Sequence, residues 1–170
     1  LDNSKHLNEN KNVTLINLSS GSPNIVSNLV NYGRVLNVNV HSFTNIADLD
    51  KFISENKSRK IIVDVSKDLF FDKMFLNYMN NNLIDNSKLH LNVIPSGINY
   101  KNLEFQADYM KNLKPIFALT KLDETEIDPS DFSMYSDLNC RIGVLSGTKN
   151  IIDAIAFAND KVLAQYMKDH

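Results

Sequence analysis

Residues 115–125 read Pro-Ile-Phe-Ala-Leu-Thr-Lys-Leu-Asp-Glu-Thr, a short apolar run that gives way abruptly to a polar, acidic end. The apolar part is too short for a helix and shows no polar alternation, as a strand buried on both faces should read. We therefore place a strand at Pro115–Thr120. Working outward, similar runs occur at Val13–Ser19, Val38–Phe43, Lys60–Ser66, Leu89–Pro95 and Arg141–Ser146. Between them, apolar residues recur at helical spacing. Ile25, Leu29, Tyr32 and Leu36 follow Pro23; Ile46, Leu49, Phe52 and Ile53 form a second stripe, and Leu69 to Met79 a third. Leu103, Ala107, Met110 and Leu113 form a fourth, while Ile151, Ile155 and then Val162, Leu163 and Tyr166 suggest a short helix and a longer terminal one. Residues 1–12 are polar and read as a helix end plus a loop. Alternation of this kind predicts an α/β chain: a three-layer, mostly parallel sheet with helices on both faces.

Composition narrows the function classes. The chain has 170 residues, 43% of them apolar and 22% charged, a globular balance for about one domain. Its 18 basic against 20 acidic residues leave a formal charge of −2, so no basic surplus exists for a phosphate backbone and no direct nucleic-acid binding is expected. No apolar run approaches bilayer length. One cysteine, Cys140, excludes an internal disulfide, and the four histidines share no ligand spacing with it or with each other.

In parallel sheets the chemistry collects at the carboxyl ends of strands. Thr120-Lys121-Leu122-Asp123 occupies such an end. A carboxylate at Asp123 can accept hydrogen bonds from the ring N–H and the exocyclic amine of guanine, a charge-assisted pair that adenine cannot supply. The Lys121 stem can lie along the flat base while its ammonium stays wet. The bland alternative is a common surface tetrapeptide. Its place at a strand end favours base recognition.

The surroundings sharpen this reading. Thr120–Thr125 resembles the TKLDET box of the signal-recognition-particle (SRP) family of GTPases, and more closely that of its flagellar-biosynthesis branch, FlhF. Tyr32–Val38 is similar to that branch's Y-A-E-I-L-G-V, Tyr100–Leu103 to its Y-E-D-L, and Arg141–Ile155 to its closing segment. The brief Asp48–Asn56 helix leading into KIIVDVS also matches this branch, since the targeting receptors have a longer insert there. The resemblance implies a P-loop NTPase-like G domain lacking its first strand and P-loop, with residues 1–170 forming a single, partial G domain. It implies GTP or GDP bound through Thr120, Lys121, Asp123, Glu124 and Gly147, and Mg2+ near Asp64. It further implies a cytoplasmic protein peripheral to the inner face of the cell membrane. Its partners would be the flagellar or targeting machinery and a second copy paired through the nucleotide face.

The departures are one-sided. The loop G-x-x-x-x-G-K-[ST] is not seen, so its phosphate-cradling amides and lysine are lacking. The family's D-T-Y-R falls on Ser19-Ser20-Gly21-Ser22, and D-T-A-G-R falls on Asp64–Asp68, where Lys67 stands for the glycine and Asp68 for the arginine. S-A-T-T-K falls on Pro95–Asn99 and loses its lysine; Pro129 replaces a later glycine, and Gly147 sits one residue before the family's closing glycine. Hydrolysis is therefore expected to be weak or absent, and no catalytic residue is assigned. In this family the first strand lies inside the sheet, beside the strand ending at Asp64. Without it a gap or open edge is expected, as in a piece of a longer protein.

Blander readings stand beside the sharp ones. Asp64 could instead cap the Leu69 helix, and Ser19–Ser22 could be a plain capping loop that elsewhere would hold a phosphate. Ser96-Gly97 reads as a turn, because no histidine or acid accompanies it. Cys140 reads as a buried thiol, and the Leu69–Met79 stripe as core, with one of Phe70 and Phe71 left for a partner surface. Asp123–Asp131 reads as a solvated acidic loop. Two further functions remain open: a non-hydrolysing pseudo-GTPase scaffold, and an unrelated α/β enzyme in which TKLD is coincidental.

Overall fold

The computed structural model describes residues 12–21, 27–82, 88–124, 129–147 and 155–169. Residues 1–11, Ser22, Pro23, Ile25, Thr125 and Ile151, which carried expectations above, lie outside the described residues. The chain divides between Tyr78 and Met79 into two units.

In the first unit three parallel strands are ordered β2-β1-β3, with β1 at Val13–Leu18, β2 at Asn39–Phe43 and β3 at Lys60–Val65. The central strand buries Thr14, Leu15, Ile16 and Leu18, both faces at once, as its near-continuous apolar run requires. Successive residues of β2 point to opposite faces, which shows where the helices lie. Helix α1 (Ser27–Leu36) packs through Gly33 against the Val40 side chain, and a Cβ at Gly33 would collide with it. Helix α2 (Ile46–Glu55) packs through Phe52 on the other face, its ring 4.6 Å from His41 and 5.5 Å from Phe43. The sheet is thus covered on both faces. Asn45 caps α2 by accepting the Asp48 amide at 2.9 Å.

The apolar stripe at Leu69–Met79 is not one helix. It divides into α3 (Lys67–Phe70) and α4 (Lys73–Asn82), because the Asp72 carboxylate accepts the amides of Met74 at 2.7 Å and Phe75 at 3.1 Å. An aspartate that satisfies the first free amides of a new helix ends the old one. Ser66, not Asp64, stands at the start of α3, which corrects the capping reading of Asp64. Phe70 and Phe71 meet edge to face at 5.1 Å and both are half-buried.

The second unit holds a four-stranded sheet ordered β4-β5-β6-β7, at Leu91–Pro95, Ile116–Thr120, Arg141–Ser146 and Ile155–Phe157. The first three strands run parallel, and β7 is antiparallel to β6. Ile94, Phe117, Leu119 and Leu145 share one face of this sheet. They form the core with Leu103 of α5 (Tyr100–Met110) and Tyr135 of α6 (Pro129–Asp137), and Val162 and Leu163 of α7 (Asp160–Asp169) pack at its side. Full burial of side chains of this size contributes about 1.5–3 kcal/mol each.

Three expectations change. Ile155 belongs to a strand rather than a helix, as pairing of Ile155 with Ser146 and Phe157 with Val144 shows. The end of the acidic stretch is helical from Pro129, a residue suited to a first helical position. Among the described residues the strands pair as two sheets, with β3 last in the order of the first and β4 first in the order of the second.

Candidate functional site

Strand β5 fixes the position of Thr120–Glu124. It is buried from Phe117 to Leu119, and Leu122, only 2% exposed, returns to the same core. Between these anchors the chain must turn within two residues. It does so at Lys121, whose φ of +61° lies in the left-handed region. A non-glycine residue held there costs about 1–3 kcal/mol and persists only where its surroundings over-determine it.

Those surroundings can be named. The Ser96 hydroxyl donates to the Lys121 carbonyl at 2.7 Å, and the Glu124 amide donates to the same carbonyl at 3.1 Å. The Ser96 amide donates to the Thr120 carbonyl at 2.8 Å, and the Leu122 amide donates to the Ser146 carbonyl at 3.2 Å. The loops after β4 and β6 thus hold the turn after β5 from both sides.

As a result Asp123 emerges exposed beside Gly147, which has a φ of +84°. A Cβ built at Gly147 would lie 2.5 Å from the Asp123 carboxylate oxygen Oδ1, 3.0 Å from the Leu122 nitrogen and 3.2 Å from the Lys121 nitrogen. Only a residue without a side chain lets the two loops meet so closely. Lys121 and Glu124 form an exposed ion pair, Nζ to Oε2 at 2.9 Å. The Thr120 hydroxyl donates inward to the Ile94 carbonyl at 3.2 Å, so its role is to join β5 to β4. Of the sequence-derived candidates, Thr120, Lys121, Asp123, Glu124 and Gly147 gather at one end of the second sheet. Asp64 belongs to the first unit, exposed on β3 in register with Asn17 of β1.

Most of the residues matching the phosphate side lie in the first unit, Pro95–Asn99 in the second. The Ser20 hydroxyl donates to the Asp68 carboxylate. That bond is the leading cause holding the Asp68 carboxyl below the usual aspartate value. An ionised carboxylate disfavours an anionic phosphate nearby. Among the described residues no group of three or more His, Cys, Asp or Glu is arranged to hold a metal ion. Cys140 is half-buried with its thiol directed at the Leu138 carbonyl 3.8 Å away, and burial pushes its pKa up, which disfavours a thiolate nucleophile.

Sequence reasoning missed Ser96, which was read as a plain turn. The turn was legible; its bond to the Lys121 carbonyl spans 25 positions and leaves no local signal. The left-handed Lys121 was equally hidden, since lysine gives no hint of a positive φ.

No protein-family model matches the sequence, and no curated protein matches it. Solved structures do match by shape. FlhF complexed with GMPPNP/Mg(2+) superposes with a TM-score of 0.71 at 15% identity, over 96% of this chain and 63% of that one. The 54 kDa signal recognition particle protein of Aeropyrum pernix K1, in complex with GDP, gives a TM-score of 0.62 at 14% identity, over 96% of this chain and 41% of its own. FtsY of Mycoplasma mycoides gives 0.57 at 12% identity, over 94% and 66%. The chain spans less than two thirds of each of these. Mostly parallel sheets and Thr120–Glu124 gathered at a strand end accompany this likeness, and the chain has the fold of the G domain of SRP-type GTPases.

Proposed function

We propose that this chain is part of a G domain that binds a guanine nucleotide through its base, in an SRP-type GTPase resembling FlhF, with weak or absent hydrolysis. One observation carries the reading: the Asp123 carboxylate is exposed just beyond the end of β5, packed so closely against Gly147 that a side chain there would collide with it. There it can accept the two guanine donors that adenine lacks. The Lys121 stem would lie along the base once its ammonium leaves Glu124. Asp64 is the residue that would hold Mg2+ in this reading. In this reading the protein is cytoplasmic, contacts the membrane peripherally, serves flagellar assembly and placement or protein targeting, and pairs with a second G domain through the nucleotide face. No helix among the described residues is long and apolar enough to cross a membrane.

A second reading, a pseudo-GTPase scaffold acting through protein contacts, is favoured by the ionised Asp68 where the resembled family carries an arginine. Calorimetric titration of GTP, GDP and ATP with magnesium separates the two. Guanine-selective binding in the micromolar range, abolished by Asp123→Ala, supports the first. No heat with any nucleotide refutes it and leaves the scaffold.

A further inference from the structure

Resting on the base-recognition reading, we propose that Ser96 is a positioning residue for base selectivity: its hydroxyl holds the Lys121 carbonyl and thereby the turn that sets Lys121 and Asp123. Three features of the second unit carry this. The bond at 2.7 Å joins the loop after β4 to a residue whose φ is +61°, a conformation that needs external support. The backbone of Ser96 is engaged separately, through its amide on the Thr120 carbonyl at 2.8 Å, so pairing of β4 with β5 does not depend on the hydroxyl. The turn is also short: Asp123 lies two residues beyond Lys121, with Leu122 fixed in the core between them. With one residue between them, the φ held at Lys121 bears directly on the direction in which the chain reaches Asp123.

A purely structural serine would alter stability and leave base preference unchanged. A positioning serine alters the preference itself, because guanine and hypoxanthine differ by the exocyclic amine that Asp123 is placed to accept. The test compares the unmutated chain with Ser96→Ala, Ser96→Thr and Ser96→Val by calorimetric titration of GDP and inosine diphosphate, with thermal unfolding alongside. We expect Ser96→Ala to bind GDP about five-fold more weakly, the net worth of one hydrogen bond, and to prefer GDP over inosine diphosphate less strongly. Ser96→Thr should keep both values. Threonine and valine have the same shape, so this pair reads the hydroxyl even if the alanine variant does not fold. Equal GDP affinity and preference in the threonine and valine variants, or an alanine variant indistinguishable from the unmutated chain, overturns the inference alone. An unmutated chain that binds neither nucleotide overturns the base-recognition reading and this inference with it.

Discussion

Gly147→Ala tests the geometry of the site most directly. The added Cβ would lie 2.5 Å from Asp123 Oδ1, where ordinary van der Waals contact begins near 3.4 Å, so the carboxylate must retreat by roughly an ångström. It cannot be relieved by moving the loop, because the same Cβ meets the backbone nitrogens of Leu122 at 3.0 Å and Lys121 at 3.2 Å. Both effects follow from one methyl group. At a φ of +84° alanine also carries a left-handed strain of about 1–2 kcal/mol, which should appear as lost stability. A shift of that size breaks at least one of the two charge-assisted bonds to guanine, each worth about 1.5–3 kcal/mol. The expected result is GDP affinity reduced about ten-fold to a hundred-fold, together with a lowered melting temperature. Calorimetry and thermal unfolding on the same samples check it. If Asp123→Ala abolishes guanine binding while Gly147→Ala leaves it within two-fold, the close approach of the two loops does not set the carboxylate, and the reasoning fails.

Three other perturbations bear on separate parts of the account. Asp123→Asn should move preference from guanine toward xanthine, because the amide offers a donor where the carboxylate accepted; competition titration with both nucleotides reads this, and unchanged preference counts against base recognition by Asp123. Leu122→Ala should destabilise the second unit by about 2–5 kcal/mol, since Leu122 is fully enclosed in the core below the turn, and chemical denaturation measures it. Ser20→Ala should raise the Asp68 pKa toward the ordinary value of 3.8. The sign follows from linkage: a depressed carboxyl pKa stabilises the fold above the unfolded value and loses that contribution as pH falls through the folded one. The loss in the unmutated chain therefore lies below about pH 4, and carbon-detected titration of the Asp68 carboxyl would show an unmoved midpoint if the Ser20 bond is not its cause.

How much of this was legible in the sequence depended on whether the cause was local. All six strands read from short apolar runs are present, each within two residues of its expected ends; β1 and β5 are buried on both faces, as an unbroken apolar run suggests, whereas β3 and β4 leave Ile62, Leu91 and Val93 exposed. The Leu69–Met79 stripe misled because periodicity records which residues are buried, not whether one helix carries them. Asp72 decided that, through two backbone amides. β7 was missed because three residues, Ile155–Phe157, are too few to show a period. At the site, the residue types of Lys121, Asp123 and Gly147 were readable, and their convergence was not. It depends on a bond from Ser96, on the Ser146 carbonyl and on two positive φ values, each set by tertiary packing.

The two ends of the resembled nucleotide site place unequal demands on the chain, and this bears on their different fates. Base recognition at the end of β5 needs one carboxylate, one flat aliphatic stem and a residue without a side chain opposite. All three come from two loops of a single unit with a shared core. Phosphate chemistry needs several backbone amides and cations converging on a dianion, and most of the residues aligned with it here lie in the first unit. There the described positions carry Ser20 bonded to Asp68, a hydrogen bond that satisfies the carboxylate internally and leaves its negative charge in place. Reversing one substitution does not change that. Lys67→Gly restores a flexible amide but leaves Asp68 ionised beside Ser20, so a charge unfavourable to phosphate remains. On the proposed reading, a gain of phosphate affinity calls for replacement of the Asp68 carboxylate itself, whereas base selectivity calls for Lys121, Asp123 and Gly147 held by a closed turn.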